Sequence, residues 1–195
     1  MSREVVLDIE TIGDIRDFDS LQITVVSIYE YETDTYTSFY EEELGNLWPI
    51  LEKAERLIGF NSEHFDLPIM NRYYTGDLLG FPHLDLLKVV KESTGKRYKL
   101  DDLAKATLDN VSKSASGLEA IEWWKEGRKE DVKKYCEQDV KVTKEVYEYG
   151  KKNQMLYFPT LTGEIQPFGV TFDPPAAPMN ASGEESGGIN MTLPL

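Results

Sequence analysis

Hydrophobic positions alternate over short distances in the first third of this chain and fall into helical spacing after it. Val5 to Glu10 is a short apolar run interrupted by two acids, which predicts a buried strand. Asp14 to Asp19 is a polar loop. Ile23 to Tyr31 and Thr35 to Tyr40 are rich in β-branched and aromatic residues, with Glu32-Thr33-Asp34 as the turn between them. Three strands in meander order follow. Glu41-Glu42-Glu43 predicts the acidic first turn of a helix through about Ala54, with Leu44, Leu47, Ile50 and Leu51 on one face and Pro49 placed to kink it. Arg56 to Phe60 reads as a short strand. His64 or Phe65 to Tyr74 reads as a helix that ends in a Thr75-Gly76-Asp77 turn.

Beyond that point the pattern is helical. Asp85 to Glu92 is one helix, stopped by Thr94-Gly95, and Leu100 to Leu108 is another. Leu118 to Glu126, closed by Gly127, is a third, and a long helix runs from Arg128 to Lys152. Tyr157-Phe158, a Thr162-Gly163 turn and Phe168 to Phe172 predict a terminal hairpin. Asp173 to Leu195 is rich in Pro, Gly and Ser without periodicity, and is expected to be disordered or loosely attached. The expectation is an α/β fold with a mixed sheet, one domain over 1–156, a hairpin over 157–172 and a tail over 173–195.

Composition narrows the function classes. A length of 195 residues suits one domain with a full core. The single cysteine, Cys136, excludes an internal disulfide framework and suits a reducing compartment. No apolar run is long enough to span a bilayer, and Met-Ser-Arg-Glu-Val-Val does not open a signal peptide. These features predict a cytoplasmic protein without membrane attachment. The net charge of −14 argues against non-specific coating of nucleic acid, but it is unevenly spread. Residues 1–50 carry twelve acids against Arg3 and Arg16, and residues 153–195 carry four acids and no base. The middle of the chain balances, with its bases clustered over Lys88 to Lys99 and Arg128 to Lys152. Such clusters either track a phosphate backbone or form solvated faces.

The acids themselves point to chemistry. Asp8 and Glu10, two apart on a strand, project from one face among Val5, Val6, Leu7 and Ile9. Burying adjacent carboxylates is costly unless a cation compensates them; the alternative is a strand end open to solvent. Tyr135 and Asp139, four apart on the long helix, share a face that either addresses one metal-bound water or is simply solvated. Asp66 stands near a helix start, where a capping acid is the plain alternative.

Val6-Leu7-Asp8-Ile9-Glu10-Thr11, Gly59-Phe60-Asn61 through Phe65-Asp66-Leu67-Pro68, and Tyr135-Cys136-Glu137-Gln138-Asp139-Val140 stand in the order of the three exonuclease motifs of the DEDDy family. Over roughly residues 4–150 the chain resembles the ribonuclease-H-like 3′–5′ exonucleases, especially the proofreading domains of B-family DNA polymerases and their stand-alone bacterial relatives. The resemblance implies a ribonuclease-H-like fold and two divalent ions, Mg²⁺ or Mn²⁺, held by Asp8, Glu10, Asp66 and Asp139. Asp8 then bridges both ions, Glu10 and Asp139 complete one site, and Asp66 serves the other. Tyr135 orients the attacking water, Asn61 and Phe65 shape the site beside the terminal nucleotide, and Thr11 contacts the last base or sugar. The implied substrates are single-stranded DNA or RNA 3′ ends, DNA favoured, and the implied partner is a polymerase or a repair or replication protein. The competing expectation is a catalytically weak nucleic-acid-binding or polymerase-associated module of the same fold. Smaller expectations concern His64 and His83 as non-ligands, Asp85, Asp101 and Asp102 as helix-start acids, Cys136 as packed, and Trp123 and Trp124 as core or base-stacking residues.

Overall fold

The computed structural model describes residues 2–108 and 116–172, so the tail beginning at Asp173 lies outside the described residues. Its centre is strand β1 (Glu4–Ile12), which pairs antiparallel with β2 (Gln22–Glu30) and parallel with β4 (Arg56–Gly59). Strand β3 (Thr35–Tyr40) extends the sheet beyond β2, and β5 (His83–Asp85) extends it beyond β4, giving the order β3-β2-β1-β4-β5. The three-strand meander is therefore present inside a mixed sheet.

Period-two alternation along β1 divides the core. Val5, Leu7 and Ile9 face one cluster, built with Leu44, Leu47 and Leu51 of α1 (Leu44–Leu51) and Leu67, Ile69 and Met70 of α2 (Asp66–Met70). Val6 faces the other, with α3 (Leu86–Thr94), α4 (Leu100–Thr107) and the long α6 (Lys129–Asn153). The even-numbered face of β1, which also carries Glu4, Asp8 and Glu10, thus lies under α6. Helix α5 (Gly117–Lys125) begins with a reciprocal Ser116–Glu119 capping box and packs through Ala120 against Val132 and Cys136 of α6.

Several elements differ from expectation. Glu41 to Glu43 form a separate 3₁₀ turn before α1, and that helix ends two residues after Pro49 rather than at Ala54. Helix α2 stops at Met70, because the residues after it serve tertiary contacts: the Tyr73 hydroxyl accepts from Ile23 N, and Asn71 Oδ1 accepts from Leu78 N. The stretch after Gly76 is not wholly helical. Strand β5 occupies three residues, too few for any periodicity to register.

Strands β6 (Met155–Pro159) and β7 (Ile165–Gly169) pair antiparallel after α6. Leu156, Val170 and Phe172 are buried in the same cluster as α3, α4 and α6. Thr107 Oγ1 fastens the hairpin to α4, accepting from Tyr157 N at 3.1 Å and donating to Tyr157 O at 3.2 Å.

A buried charge cluster closes the end of the sheet where β1 begins. Glu4 and Arg56 are only 6% and 4% exposed and form a salt bridge across β1 and β4. Tyr147 Oη of α6 lies 2.9 Å from Glu4 Oε1, and Lys151 Nζ lies 3.1 Å from Glu4 Oε2. Arg56 also donates to the carbonyl of Phe172 at 3.3 Å. Burial alone pushes Glu4 upward, but hydrogen bonds from Arg56, Tyr147 and Lys151 hold it below its ordinary value. Removing one partner strands the other charge in a dry environment. Arg56→Met is accordingly expected to cost about 3–5 kcal/mol in urea unfolding, and adding Glu4→Gln should recover most of that loss.

Candidate active site

Asp8 and Glu10 sit on the even face of β1 towards its C-terminal end, and α6 crosses above them. One oxygen each from Asp8, Glu10 and Asp139 lies within 4.8 Å of the others. Strand β1 and α6, which also meet at the Glu4 cluster, are thus brought together again here. Cys136 Sγ, fully buried one turn before Val140, lies 3.3 Å from Asp8 O and 3.5 Å from Asp8 Oδ2. It is packed and partnered. Ser27 Oγ and Ser38 Oγ lie 2.9 Å apart, and Ser38 Oγ donates to Glu137 Oε1 at 2.7 Å, tying α6 to β2 and β3.

Asp66 lies outside that triad but beside it. It is 3% exposed at the first position of α2, and it accepts a hydrogen bond from the backbone of Ile9, between the two β1 acids. Tyr135 is half-buried, its phenol hydrogen-bonded to Asp139 and its ring edge-on to Trp123 at 6.4 Å. Phe65 is half-buried and meets Phe18 edge-on at 6.1 Å. Thr11 stands at a break in register, where Glu10 pairs with Val25 but Thr11 pairs with Ile23. The extra residue, Thr24, donates from Oγ1 to Glu10 O at 3.0 Å, and such a bulge re-aims the end of a strand.

Asn61 occupies the left-handed region at φ 66°, which asparagine tolerates better than most side chains. Its turn is held by Asp85, whose carboxylate accepts from Asn61 N at 2.8 Å and Glu63 N at 3.1 Å. The same carboxylate caps α3 by accepting from Leu87 N at 2.9 Å and Lys88 N at 3.3 Å. The expectation of a helix-start acid was met but incomplete, since one carboxylate serves a helix and a distant loop. No local pattern carries the loop half of that role. Gly59 is required just before the turn, because a Cβ there would lie 2.5 Å from Ser62 Cβ. Asp101 and Asp102 stand in the first turn of α4, and His64 is exposed.

The four acids repel one another. Burial pushes Asp8 well above the ordinary carboxylate range, and the charges of Asp66, Asp139 and Glu10 add to it. Burial with repulsion from Asp139 and Asp66 takes Glu10 up to about 8. Asp66 is raised by burial to about 7 and Asp139 to about 6. Burial and the charge of Asp139 also raise the Tyr135 phenol, so it stays a proton donor. Among the described residues, no lysine or arginine forms an ion pair with any of the four acids. An uncompensated, all-oxygen, partly enclosed donor set fits a hard divalent cation such as Mg²⁺ or Mn²⁺.

Comparison with known proteins agrees with the architecture. Residues 5–150 match the model of the RNase_H superfamily, and the chain belongs to that superfamily. The mixed five-stranded sheet flanked by helices is the ribonuclease-H-like arrangement. Among solved structures, the chain is similar to the family B DNA polymerase from the hyperthermophilic archaeon Pyrobaculum calidifontis. The TM-score is 0.61 at 16% identity, covering 77% of this chain and 24% of the polymerase. It is also similar to RNase D of Trypanosoma brucei, with a TM-score of 0.56 at 15% identity, covering 76% of this chain and 57% of that enzyme. The chain thus spans about a quarter of the first protein and little more than half of the second. A search of curated protein sequences finds no match. Among the described residues no helix is long and apolar enough to cross a membrane.

Two outcomes follow from this site. In the unfolded chain these acids titrate near about 4, whereas in the fold they hold protons to higher pH, so the folded state binds more protons between about 4 and about 8. Metal-free stability should therefore fall as pH rises through that window, by roughly 2–4 °C in Tm for each kcal/mol of repulsion. Melting curves in EDTA should show this slope in the parent protein, a shallower one in Asp8→Asn, and recovery of Tm at the alkaline end on adding Mn²⁺. Asp85→Ala should release the amides of Asn61, Glu63 and Leu87, which hydrogen exchange would read as faster exchange at those three positions while Val6 and Val140 stay protected.

Proposed function

We infer that this protein is a DEDDy-type 3′–5′ exonuclease that hydrolyses phosphodiester bonds at single-stranded 3′ ends, with DNA favoured over RNA. The observation that carries the reading is the convergence of Asp8, Glu10 and Asp139 oxygens within 4.8 Å, with no cationic side chain among the described residues paired to them. Asp66 and Tyr135 flank that triad in the motif order described from the sequence. Membership of the RNase_H superfamily and similarity to a DNA polymerase and an RNase D support it.

Asp8, Glu10 and Asp139 are the residues that would hold one divalent ion, and Asp8 with Asp66 a second. Such ions supply Lewis-acid activation of water and charge neutralisation at the phosphate. The remaining work falls to the chain. Tyr135, kept protonated and donating its one phenolic hydrogen to Asp139, would accept from a water beside the triad and so fix its orientation. Asn61, held in its left-handed turn, and Phe65 would shape the site beside the terminal nucleotide, Phe65 with a ring for the terminal base. Thr11, at the register break that ends the regular pairing of β1, would contact the last base or sugar. A polymerase or a repair or replication protein is the partner class this activity suits.

The decisive assay follows 5′-labelled, 3′-tailed DNA and its RNA counterpart in Mg²⁺, Mn²⁺ or EDTA. A metal-dependent ladder should form, stronger on DNA, and be lost in Asp8→Ala and Asp139→Ala. Tyr135→Phe should lower turnover by less than either ligand substitution. A ladder that survives Asp8→Ala, or that needs no metal, would overturn the reading.

A further inference from the structure

Although the chain is strongly acidic, one surface strip runs the other way. Between Lys88 and Lys99 there are five cations and a single acid, Glu92. Lys88 pairs with Glu63 at 2.8 Å, but among the described residues Lys91, Lys96, Arg97 and Lys99 have no carboxylate partner. This strip starts at the Asn61 turn. Arg97 Nη2 donates to Asn61 Oδ1 at 2.7 Å, and a cleft of about 270 Å³ opens there, lined by Lys88, Lys91 and Arg97 together with the acids Glu63, Asp85 and Glu92.

On the other side of Arg97 the strip meets the hairpin. A shallow groove of about 360 Å³ lies between Lys96 and Tyr98 on one wall and Phe158, Leu161 and Gln166 on the other. Tyr98 stacks on Phe158 with ring centroids 5.2 Å apart, and Phe158 meets Phe168 at 5.7 Å. All three rings are half-buried, so each keeps some open surface. Leu161, at the tip of the hairpin, is 99% exposed and lines the same groove, an apolar side chain with no packing of its own. The hairpin walls are held rigidly by the Thr107–Tyr157 bonds and the burial of Leu156 and Val170. Strands β6 and β7 lie beyond residue 150, where the superfamily match ends.

We propose that the β6–β7 hairpin and the Lys91–Lys99 strip form a strand-binding subsite that holds single-stranded nucleic acid upstream of the terminal nucleotide. Phosphates would lie along Lys96, Arg97 and Lys99, and unpaired bases would stack on the Tyr98–Phe158 shelf against Leu161. The choice of occupant rests on the chemistry: cations without a carboxylate partner among the described residues flank the Tyr98–Phe158 rings, and the strip is continuous with Asn61. Cations beside exposed aromatic faces suit a flexible polyanion whose bases are free. A duplex presents no such faces. This subsite deepens the exonuclease reading and rests on it for the direction of the strand.

The test is fluorescence anisotropy of labelled oligothymidylates of about 4 and about 12 nucleotides, and of a 12-base-pair duplex, measured in EDTA with full-length protein. Affinity should rise at least about tenfold from the short to the long strand and exceed that for the duplex. Combining Lys96→Ala with Lys99→Ala should lower the slope of log K against log salt by about 1.4, the loss of two phosphate contacts. Phe158→Leu should weaken the long strand by about fivefold or more, and Leu161→Ala, at a fully exposed position, gives the same test without risk to the fold. Equal affinity for both lengths, preference for the duplex, or unchanged binding in both the lysine pair and Leu161→Ala would overturn the proposal. A ladder assay on the parent protein run alongside separates the two ideas. Binding lost in these variants with no parent ladder sinks the exonuclease and leaves the subsite, whereas a parent ladder with unaltered binding sinks the subsite alone.

Discussion

Carboxylates buried on one face of β1 are the constraint to which the rest of the molecule answers. Glu4, Asp8 and Glu10 all project from the even-numbered face, and α6 covers that face from end to end. At one end Arg56, Tyr147 and Lys151 satisfy Glu4 completely. At the other end Asp8 and Glu10 meet more acid, a weakly donating thiol and the Tyr135 phenol, with no ion-pair partner among the described residues. The satisfied end works as a clamp. With Tyr147 and Lys151 bound to Glu4, the helical rise of 1.5 Å per residue carries Cys136 and Asp139 back along the strand to Asp8. Removing a neutralising lysine from the second end and supplying one at the first gives a single strand a structural pole and a chemical pole.

The contrast explains why the frustrated end persists. A fold that placed an arginine beside Asp8 would be more stable without metal, and it would also fill the space a divalent ion needs. Repulsion among four acids is affordable because the two apolar clusters on either face of the sheet are extensive, and because the Glu4–Arg56 cluster prevents α6 from sliding away. Strain of this kind concentrates where the chemistry is expected and is offset elsewhere in the fold.

Much of this organisation was legible in the residues. Alternation around Asp8 and Glu10 placed them on one face of a strand, the four-residue spacing placed Tyr135 and Asp139 on one face of a helix, and the lysine-rich stretch from Arg128 to Lys152 marked α6 nearly to its ends. What escaped was the non-local part. Strand β5 is too short for a period, and α2 ends where Tyr73 and Asn71 are drawn into contacts with distant segments. The double duty of Asp85, the bulge at Thr24 and the Cys136 contact to Asp8 each join segments far apart in sequence. No window along the chain contains both halves of any of them. Tyr135 and Asp139 were readable as a pair, but their partners across the sheet became visible only through the order of three separated motifs.

The Glu4 cluster also bears on how the chain reaches this state. Glu4 belongs to the first strand, yet its partners Tyr147 and Lys151 lie 143 and 147 positions further on, and Arg56 also holds the carbonyl of Phe172. The charged face of β1 is therefore enclosed by residues from the far end of the described chain. Closing it requires long loop closure, the kind of pairing that slows folding in topologies rich in distant contacts. The strand that comes first in the sequence is completed by some of its most distant partners.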